Sequence, residues 1–253
     1  MFTAPDHYDR LLARHYTWMF GVSFEERVVE QKSFFLQALE DLECRLKSTL
    51  AIDLGSGPGF QTIALAQLGF SPVIAIDTSS ELLDELRSHA GSLPIQIEKA
   101  DLRDLPAIVP GGQAAVVVCM GDTLTHLPDK ADVGALFRAV FDAMLPGGRF
   151  VITYRDLTME LQGTDRFLLV RSNDEKIMTC FLEYESPEFV VVHDLVHTRQ
   201  GAGWSLNKSS YRKLRLGVEW LVQELGAAGF NVVSRGRAGR LEAIVARKPP
   251  GDE

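Results

Sequence analysis

The sequence predicts an α/β fold in which helices cover both faces of a doubly wound, mostly parallel sheet of seven strands. Between residues 49 and 154, short β-rich runs alternate with segments of helical periodicity. Runs such as "AAVVVCM" are apolar on both faces, which is typical of parallel strands buried beneath helices. Beyond residue 154 the runs lengthen and turn residues separate them, which indicates an inserted antiparallel meander.

The first 48 residues predict a helical lid. Apolar and aromatic side chains follow Tyr8 at the spacing of one helical face, up to Gly21. Ser23 and Glu26 then have the S-x-x-E form of a capping box, which predicts the start of a second helix. The inward face of this second helix would carry Val28, Phe35, Leu39, Leu42 and Leu46. We therefore assign residues 1–48 to an N-terminal helical lid.

The central domain is predicted from residues 49–154 and 217–248. Its first five strands are "TLAIDL", "PVIAID", "IQIEKA", "AAVVVCM" and "RFVITY". Helices are expected from Gly59 to Gly69, over "SSELLDELRSHAG", and from about Asp129 to Met144. A later helix, "VEWLVQELGAAG", and the strands "FNVVSRG" and "LEAIVARK" complete the sheet. This order of strands and helices predicts a Rossmann-like core.

Residues 155–216 predict an inserted antiparallel β-subdomain. Its runs are joined by turn residues such as Ser186-Pro187. Two roles remain open for it, a cover over the substrate or a dimer contact. Trp204 and Tyr211 would wall an acceptor pocket in the first case. Strand alternation places Arg212 and Lys213 on opposite faces, so these residues form no continuous basic stripe.

Composition narrows the classes of partner. The formal net charge of −8 disfavours the broad cationic surface that nucleic acid requires. No apolar stretch reaches the roughly 20 residues of a membrane helix, so we expect no membrane partner. Cys44, Cys119 and Cys180 are scattered, which favours a reducing cytoplasm over a disulfide framework. His193 and His197 share a strand face without a third ligand nearby, so we predict no metal site.

Three glycines stand at alternate positions in "DLGSGPGF", residues 53–60, directly after the first strand. A loop that turns there into a helix presents free amides to a ligand. Asp77 ends the second strand 24 residues beyond Asp53, where a carboxylate can accept hydrogen bonds from both ribose hydroxyls of an adenosine. The nicotinamide fingerprint G-x-G-x-x-G has its third glycine one residue later, which weakens an oxidoreductase interpretation.

With these motifs the sequence resembles the class I S-adenosylmethionine-dependent methyltransferases over residues 49–154 and 217–247. The resemblance implies S-adenosylmethionine as cofactor and S-adenosylhomocysteine as product. The loop "DLGSGPG" would accommodate the methionine part and Asp77 the ribose. In "ADLRDLP", Asp101 would receive the adenine amine and Leu102 would cover the ring. The implied cofactor site comprises Tyr16, Trp18, Asp53, Gly55, Ser56, Gly57, Asp77, Thr78, Asp101, Leu102, Met120 and Gly121.

The acceptor is expected beside "CMGDTLTHL", residues 119–127. This stretch lacks the Asn/Asp-Pro-Pro-Tyr/Phe tetrapeptide associated with methylation of adenine or glutamine amino groups. It is similar to the "GNSFxHL" loop of glycine and sarcosine methyltransferases. The similarity implies that Asp122 faces the site and that His126 orients the cofactor or acts as a base. A capping role for Asp122 and a packed or capping histidine remain alternatives.

Two further groups are predicted at the same rim. Tyr154 and Arg155 leave the fifth strand there and are candidates for gripping an acceptor, the arginine being suited to a carboxylate. A surface pair between Arg155 and Asp156 is the alternative. Tyr16 and Trp18 belong to "HYTWMFG", which we expect to fold over the cofactor because aromatic faces attract a sulfonium. Core packing explains these aromatic residues equally well.

The sequence therefore predicts a cytoplasmic enzyme that transfers a methyl group to a small polar metabolite. The partners expected are a small-molecule acceptor and, as a further option, a second copy in a homodimer. The alternative is a non-catalytic protein that binds S-adenosylmethionine, or an assembly protein, with the β-insertion as its partner surface.

Overall fold

The computed structural model describes residues 3–42, 49–109 and 111–251. Its strands, in chain order, are β1 (Leu50–Leu54), β2 (Val73–Asp77), β3 (Ile95–Lys99), β4 (Ala114–Cys119), β5 (Met144–Tyr154), β6 (Phe167–Ser172), β7 (Lys176–Tyr184), β8 (Phe189–Gln200), β9 (Gly203–Leu214), β10 (Asn231–Ala238) and β11 (Leu241–Arg247). Its α-helices are α1 (Ala4–His7), α2 (Tyr16–Met19), α3 (Phe24–Ala38), α4 (Phe60–Gln67), α5 (Ser80–Ala90), α6 (Leu105–Ile108), α7 (Lys130–Ala143) and α8 (Val218–Ala227).

The main sheet has seven strands in the order β10-β11-β5-β4-β1-β2-β3. The strands from β5 to β3 run parallel to one another, and β11 pairs antiparallel with β5 and with β10. The prediction of a mostly parallel, doubly wound sheet is thus confirmed. Strand β1 lies between β2 and β4, so the chain order reverses beside it, and ligands bind at such a point in open α/β sheets.

Burial on both faces explains why the central strands are almost wholly apolar. Every residue of β1 and β4 is buried. Alternate side chains of β1 enter two separate cores, with Ile52 and Leu54 on the side of α7 and α8 and Ala51 on the side of α3 and α4. The rigid strand ends produced by this packing carry the loops described below.

The N-terminal segment contains shorter helical pieces than the periodicity suggests. A π-helical turn (Tyr8–Leu12) and a 3₁₀ turn (Ala13–His15) separate α1 from α2. Helix α3 begins as predicted, because Ser23 and Glu26 form both hydrogen bonds of the capping box. Leu46, assigned to the inward face of the same helix, and Cys44 lie outside the described residues. No helix in the described ranges is both long and apolar enough to cross a membrane.

The inserted meander forms a second, antiparallel sheet in the order β6-β7-β8-β9. One face of this sheet packs against the N-terminal segment, where Leu11 and Leu12 meet Met178 and Val196. A deeper contact places His7 Nε2 2.9 Å from Asp194 Oδ2, with both side chains buried. The lid and the insertion therefore contact each other directly, and both reach the site described next.

Candidate active site

A cavity of about 450 Å³ opens where the parallel strands end. Its floor consists of the segments that follow β1, β2, β3 and β4, as expected at the carboxyl edge of such a sheet. Its volume lies within the range of small-molecule sites. The lining residues are Thr3, Ala4, Pro5, Tyr8, Tyr16, Gly55, Gly57, Ile76, Asp77, Thr78, Leu82, Ala100, Asp101, Leu102, Arg103, Thr123, His126, Leu127, Pro128, Phe189 and Arg212.

The glycines after β1 are required by backbone conformation and by close approach. Gly55 has φ +72°, and a Cβ there would lie 2.3 Å from Cγ2 of Thr123. Gly59 has φ +97°, and a Cβ there would lie 2.2 Å from Cδ1 of Leu86. Left-handed backbone already disfavours other residues, and these overlaps exclude them without rearrangement. The bare loop leaves Gly55 and Gly57 on the cavity wall.

Asp77 points toward the glycine loop, as the sequence predicts. Its Oδ2 accepts a hydrogen bond from the Gly57 amide at 2.8 Å, and its Oδ1 accepts one from the Ser79 amide at 2.8 Å. Burial raises the pKa of this carboxyl, although the backbone hydrogen bonds oppose the rise. Asp77 and Thr78 both line the cavity. This half-buried carboxylate is a suitable acceptor for ligand hydroxyls.

The segment after β3 forms the neighbouring wall. Asp101 and Leu102 line the cavity, where the adenine-packing segment is expected. Oδ2 of Asp101 accepts a hydrogen bond from Arg103 Nη2 at 2.8 Å, and this pairing lowers the pKa of Asp101. The apolar side chain of Leu102 beside a charged pair suits a flat, polar-edged ring such as adenine.

Four predicted cofactor residues support the wall without lining it. Asp53 is buried and accepts a hydrogen bond from Thr62 Oγ1 at 2.6 Å. Burial raises the pKa of Asp53 to about 7. Ser56 is buried. The backbone carbonyl of Met120 accepts from Thr123 Oγ1 at 2.9 Å, and the Gly121 amide donates to Thr153 Oγ1 at 2.9 Å. None of these four residues lines the cavity, and their contact with a cofactor stays a prediction. Asp53, Met120 and Gly121 use the polar groups named above within the protein, whereas the buried Oγ of Ser56 has no hydrogen-bond partner among the described residues.

Asp122 was expected to face the site, and the structure instead places it beneath the wall. Its Oδ1 accepts hydrogen bonds from the Arg155 amide at 2.9 Å and from Thr125 Oγ1 at 3.0 Å. Its Oδ2 accepts from Nζ of Lys213. Burial would raise the pKa of Asp122, but the charge of Lys213 and these hydrogen bonds bring it below the ordinary value. Every carboxylate oxygen of Asp122 is thus already bonded.

His126 reaches the cavity, as predicted. It ends a 3₁₀ turn, Thr123–His126, and its ring lies between Tyr8 and Tyr211 at centroid distances of 5.6 and 5.5 Å. Within the described part of the chain, its buried Nε2 has no hydrogen-bond partner. Burial lowers the pKa of His126 to about 3, so the imidazole is neutral and its Nε2 can accept a hydrogen bond.

Tyr154 and Arg155 do not meet an acceptor in this cavity. Tyr154 is fully buried in the same apolar core as Phe150 and Ile152, because alternate residues of β5 share a face. The Arg155 side chain is exposed, and only its backbone amide contacts the loop through Asp122. Neither residue lines the cavity, and the expectation that the two grip an acceptor stays a prediction.

The two lid aromatics have different positions. Tyr16 lines the cavity, and its Cε1 would lie 3.7 Å from a Cβ at Gly57. Trp18 lies outside the wall, because its ring packs under the cations of Arg171 and Lys176 on the inserted sheet. Tyr16 therefore lies on the cavity wall and Trp18 does not, and the contact of either ring with a cofactor stays a prediction.

Several wall residues were missed from the sequence. Thr3, Ala4, Pro5 and Tyr8 enter from the N-terminal segment, and Phe189 and Arg212 enter from the inserted sheet. The sequence did carry a signal for the helix start in the N-terminal segment, because Thr3 and Asp6 form a capping box with proline inside the first turn. No local signal marks Arg212, which pairs with Glu185 at 2.7 Å and lies over the Phe189 ring.

The described residues contain no cluster of three or more potential metal ligands. Nε2 of His193 lies 2.8 Å from Oε2 of Glu183.

Comparison with known proteins finds methyltransferases among the relatives of this chain. Residues 51–148 match the methyltransferase domain family. A putative methyltransferase, YqeM of Bacillus subtilis, is 32% identical over 148 residues, which cover 57% of this chain and 58% of that protein. The glycine/sarcosine N-methyltransferase of Halorhodospira halochloris is 25% identical, covering 55% of this chain and 50% of that protein. The chain thus spans about half the length of these relatives.

Solved structures match over almost the whole chain. An S-adenosylmethionine-dependent methyltransferase from Clostridium acetobutylicum has a TM-score of 0.75 at 17% identity and covers 97% of each chain. The CcbJ methyltransferase from Streptomyces caelestis has a TM-score of 0.76 at 21% identity, covering 96% of this chain and 98% of the other. The predicted resemblance is confirmed. Residues 51–148 therefore match a methyltransferase domain, and the chain has the fold of solved S-adenosylmethionine-dependent methyltransferases.

Proposed function

We propose that this chain transfers the methyl group of S-adenosylmethionine to a small polar metabolite, and that it works in the cytoplasm, which its free thiols Cys119 and Cys180 fit. One observation carries the proposal. A single cavity combines the glycine loop and Asp77 with a second wall built from the lid and the inserted sheet. A site for one molecule alone would need only the first of these walls.

The residues of the first wall fit the cofactor. The amides of the glycine loop, together with Asp77 and Thr78, would hold its amino-acid and ribose parts, and Leu102 would cover its base. When bound, the cofactor supplies an activated methyl group on a sulfonium. The protein then has to align the acceptor atom with that methyl group, at about 3 Å, and exclude water.

The second wall supplies groups for the acceptor. Tyr8, Tyr16 and Phe189 give it aromatic surface, and Arg212 gives it a positive charge that suits an anionic group. The neutral His126 can accept a hydrogen bond from the acceptor and so orient it, although its pKa of about 3 makes it a weak general base. Because segments of the same chain cover the cavity, an acceptor small enough to be enclosed fits better than a polymer.

One observation favours the alternative of a non-catalytic cofactor-binding or assembly protein. The outer face of the inserted sheet exposes large apolar side chains, with Phe167 64% and Leu169 60% exposed on β6, and Trp204 and Leu206 each 47% exposed on β9. Exposed apolar surface of this kind is typical of interaction faces. In this alternative the exposed face would hold a partner, and sedimentation at several protein concentrations tests whether that partner is a second copy of the chain.

Two measurements test the proposed function. Calorimetry with S-adenosylhomocysteine should show micromolar binding that Asp77→Ala abolishes. The matched control is Asp84→Ala, which removes an exposed carboxylate from α5 and should leave affinity unchanged. The second measurement incubates the protein with methyl-labelled cofactor and a metabolite extract. Transferred label supports the enzyme, whereas cofactor binding without transfer to any acceptor supports the alternative. Full affinity in Asp77→Ala would refute the ribose assignment.

A further inference from the structure

A buried ion pair joins the loop after β4 to the inserted sheet. Nζ of Lys213 on β9 bonds Oδ2 of Asp122, and the two side chains are only 11% and 10% exposed. Such pairs give little net stability, because apolar side chains of similar volume often stabilise a core equally well. The better-attested role of a buried charged pair is to fix one particular arrangement of the chain segments that it joins.

The backbone at Asp122 shows that an arrangement is being fixed. Asp122 has φ 83°, and it is the single non-glycine residue with positive φ among those that the structure describes. Strained backbone of this kind persists only where its surroundings determine it fully. The Arg155 amide and Thr125 Oγ1 hold one carboxylate oxygen, and Lys213 holds the other.

The strained residue leads directly into the turn that carries His126. Thr123 of this turn occupies the space next to Gly55, and His126 faces the cavity. The His126 ring contacts Tyr211, whose ring also lies 5.5 Å from Nζ of Lys213. Lys213 therefore touches both neighbours that define where the imidazole lies, the loop and the tyrosine.

We propose that Lys213 is a positioning residue for His126: its ion pair with Asp122 fixes the loop that turns the imidazole into the cavity. The value of this arrangement for methyl transfer rests on the proposed function.

The charges around His126 agree with this role. Burial is the main cause of its low pKa, the positive charge of Lys213 lowers it further, Asp122 raises it, and His7 lowers it slightly. Tyr8 and Tyr211 face the ring from the lid and from β9. With the pair intact, the charges of Lys213 and Asp122 oppose each other and the imidazole stays neutral.

The test is nuclear magnetic resonance on the full chain without acceptor. The spectra record the chemical shifts of the His126 ring as the pH is varied, and the nuclear Overhauser contacts between this ring and Tyr211. In Lys213→Met, Asp122 loses its partner, so the midpoint for His126 should rise by about one pH unit or more and the contacts to Tyr211 should weaken. Lys213→Arg should restore both. The matched control is Lys208→Met, which removes an exposed lysine from the same strand.

A folded Lys213→Met protein in which the contacts between His126 and Tyr211 are unchanged would overturn the proposal, whatever its His126 midpoint, because loss of the Lys213 charge raises that midpoint even when the ring does not move. If Lys213→Met does not fold, Asp122→Asn breaks the pair from the other side. The contacts to Tyr211 must then weaken, and their retention refutes the proposal. S-adenosylhomocysteine calorimetry on the wild type is read separately, so failure of binding refutes the proposed function without deciding the role of Lys213.

Discussion

The buried carboxyl of Asp53 makes the stability of this fold depend on pH. Its side chain is 1% exposed, and burial raises its pKa to about 7, despite a hydrogen bond from Thr62. A carboxyl in the unfolded chain has a pKa of about 3.9. The folded state therefore binds the proton more tightly, and its stability falls as pH rises from the unfolded pKa through the folded one.

These two pKa values give the size of the effect. At pH 5 the buried carboxyl costs about 1.5 kcal/mol, and at pH 8 it costs about 4 kcal/mol, from 1.36 kcal/mol per pKa unit. Stability should thus drop by about 2–3 kcal/mol between these pH values on account of Asp53 alone. Asp53→Asn keeps the shape of the side chain and removes the charge, so this part of the dependence should disappear.

The assay is urea unfolding of the wild type and of Asp53→Asn at several values between pH 5 and pH 8. The free energy of unfolding of the variant should exceed that of the wild type by an amount that grows with pH. Taking this difference also cancels the contributions of histidines that titrate in both proteins. Asp84→Asn, at an exposed position, provides the control and should show no such trend. A constant difference across the range would refute the reasoning, because it would mean that Asp53 is ionised in the folded protein throughout.

Two further predictions concern the cavity. Gly55→Ala introduces a Cβ 2.3 Å from Cγ2 of Thr123 at a left-handed position. Thermal unfolding should therefore show a free energy of unfolding lower by at least about 1–2 kcal/mol, and calorimetry should show a lower affinity for S-adenosylhomocysteine. Gly236→Ala is the control, because nothing lies within 4 Å of a Cβ there. Arg212→Gln should raise KM for the acceptor found by label transfer and leave the affinity for S-adenosylhomocysteine unchanged, because Arg212 belongs to the second wall. Glu185→Gln removes the carboxylate that pairs with the Arg212 guanidinium, so this variant should lower KM. An unchanged KM in both Arg212→Gln and Glu185→Gln would exclude Arg212 from acceptor binding.

Local rules made the core and half of the site predictable. Strand and helix periodicity depend on neighbouring residues only, so the seven-stranded sheet followed from hydrophobic patterns. The position of one cavity wall followed too, because parallel strands bring the residues after their carboxyl ends to one edge. Gly55, Gly57, Asp77, Thr78, Asp101 and Leu102 all lie at that edge.

Local rules did not predict the residues whose role depends on the direction in which a side chain points at a strand end. Tyr154 ends β5 at the correct rim but points into the core, and Asp122 follows β4 but turns beneath the wall. A strand end fixes the position of the backbone to within a residue. The face on which a side chain emerges also depends on the backbone angles of the loop, such as the left-handed φ of Asp122.

The sequence by itself determined the sheet, the glycine loop and the carboxylate that faces it, since each is encoded within a short stretch by periodicity, backbone freedom or a strand end. Only the tertiary structure decided what closes the cavity. Lys213 and Asp122 are 91 positions apart, and His7 and Asp194 are 187 apart. The first contact arises where the inserted sheet packs on the loop after β4, and the second where it packs on the N-terminal segment. Both packings depend on the shape of whole faces, which no local pattern specifies.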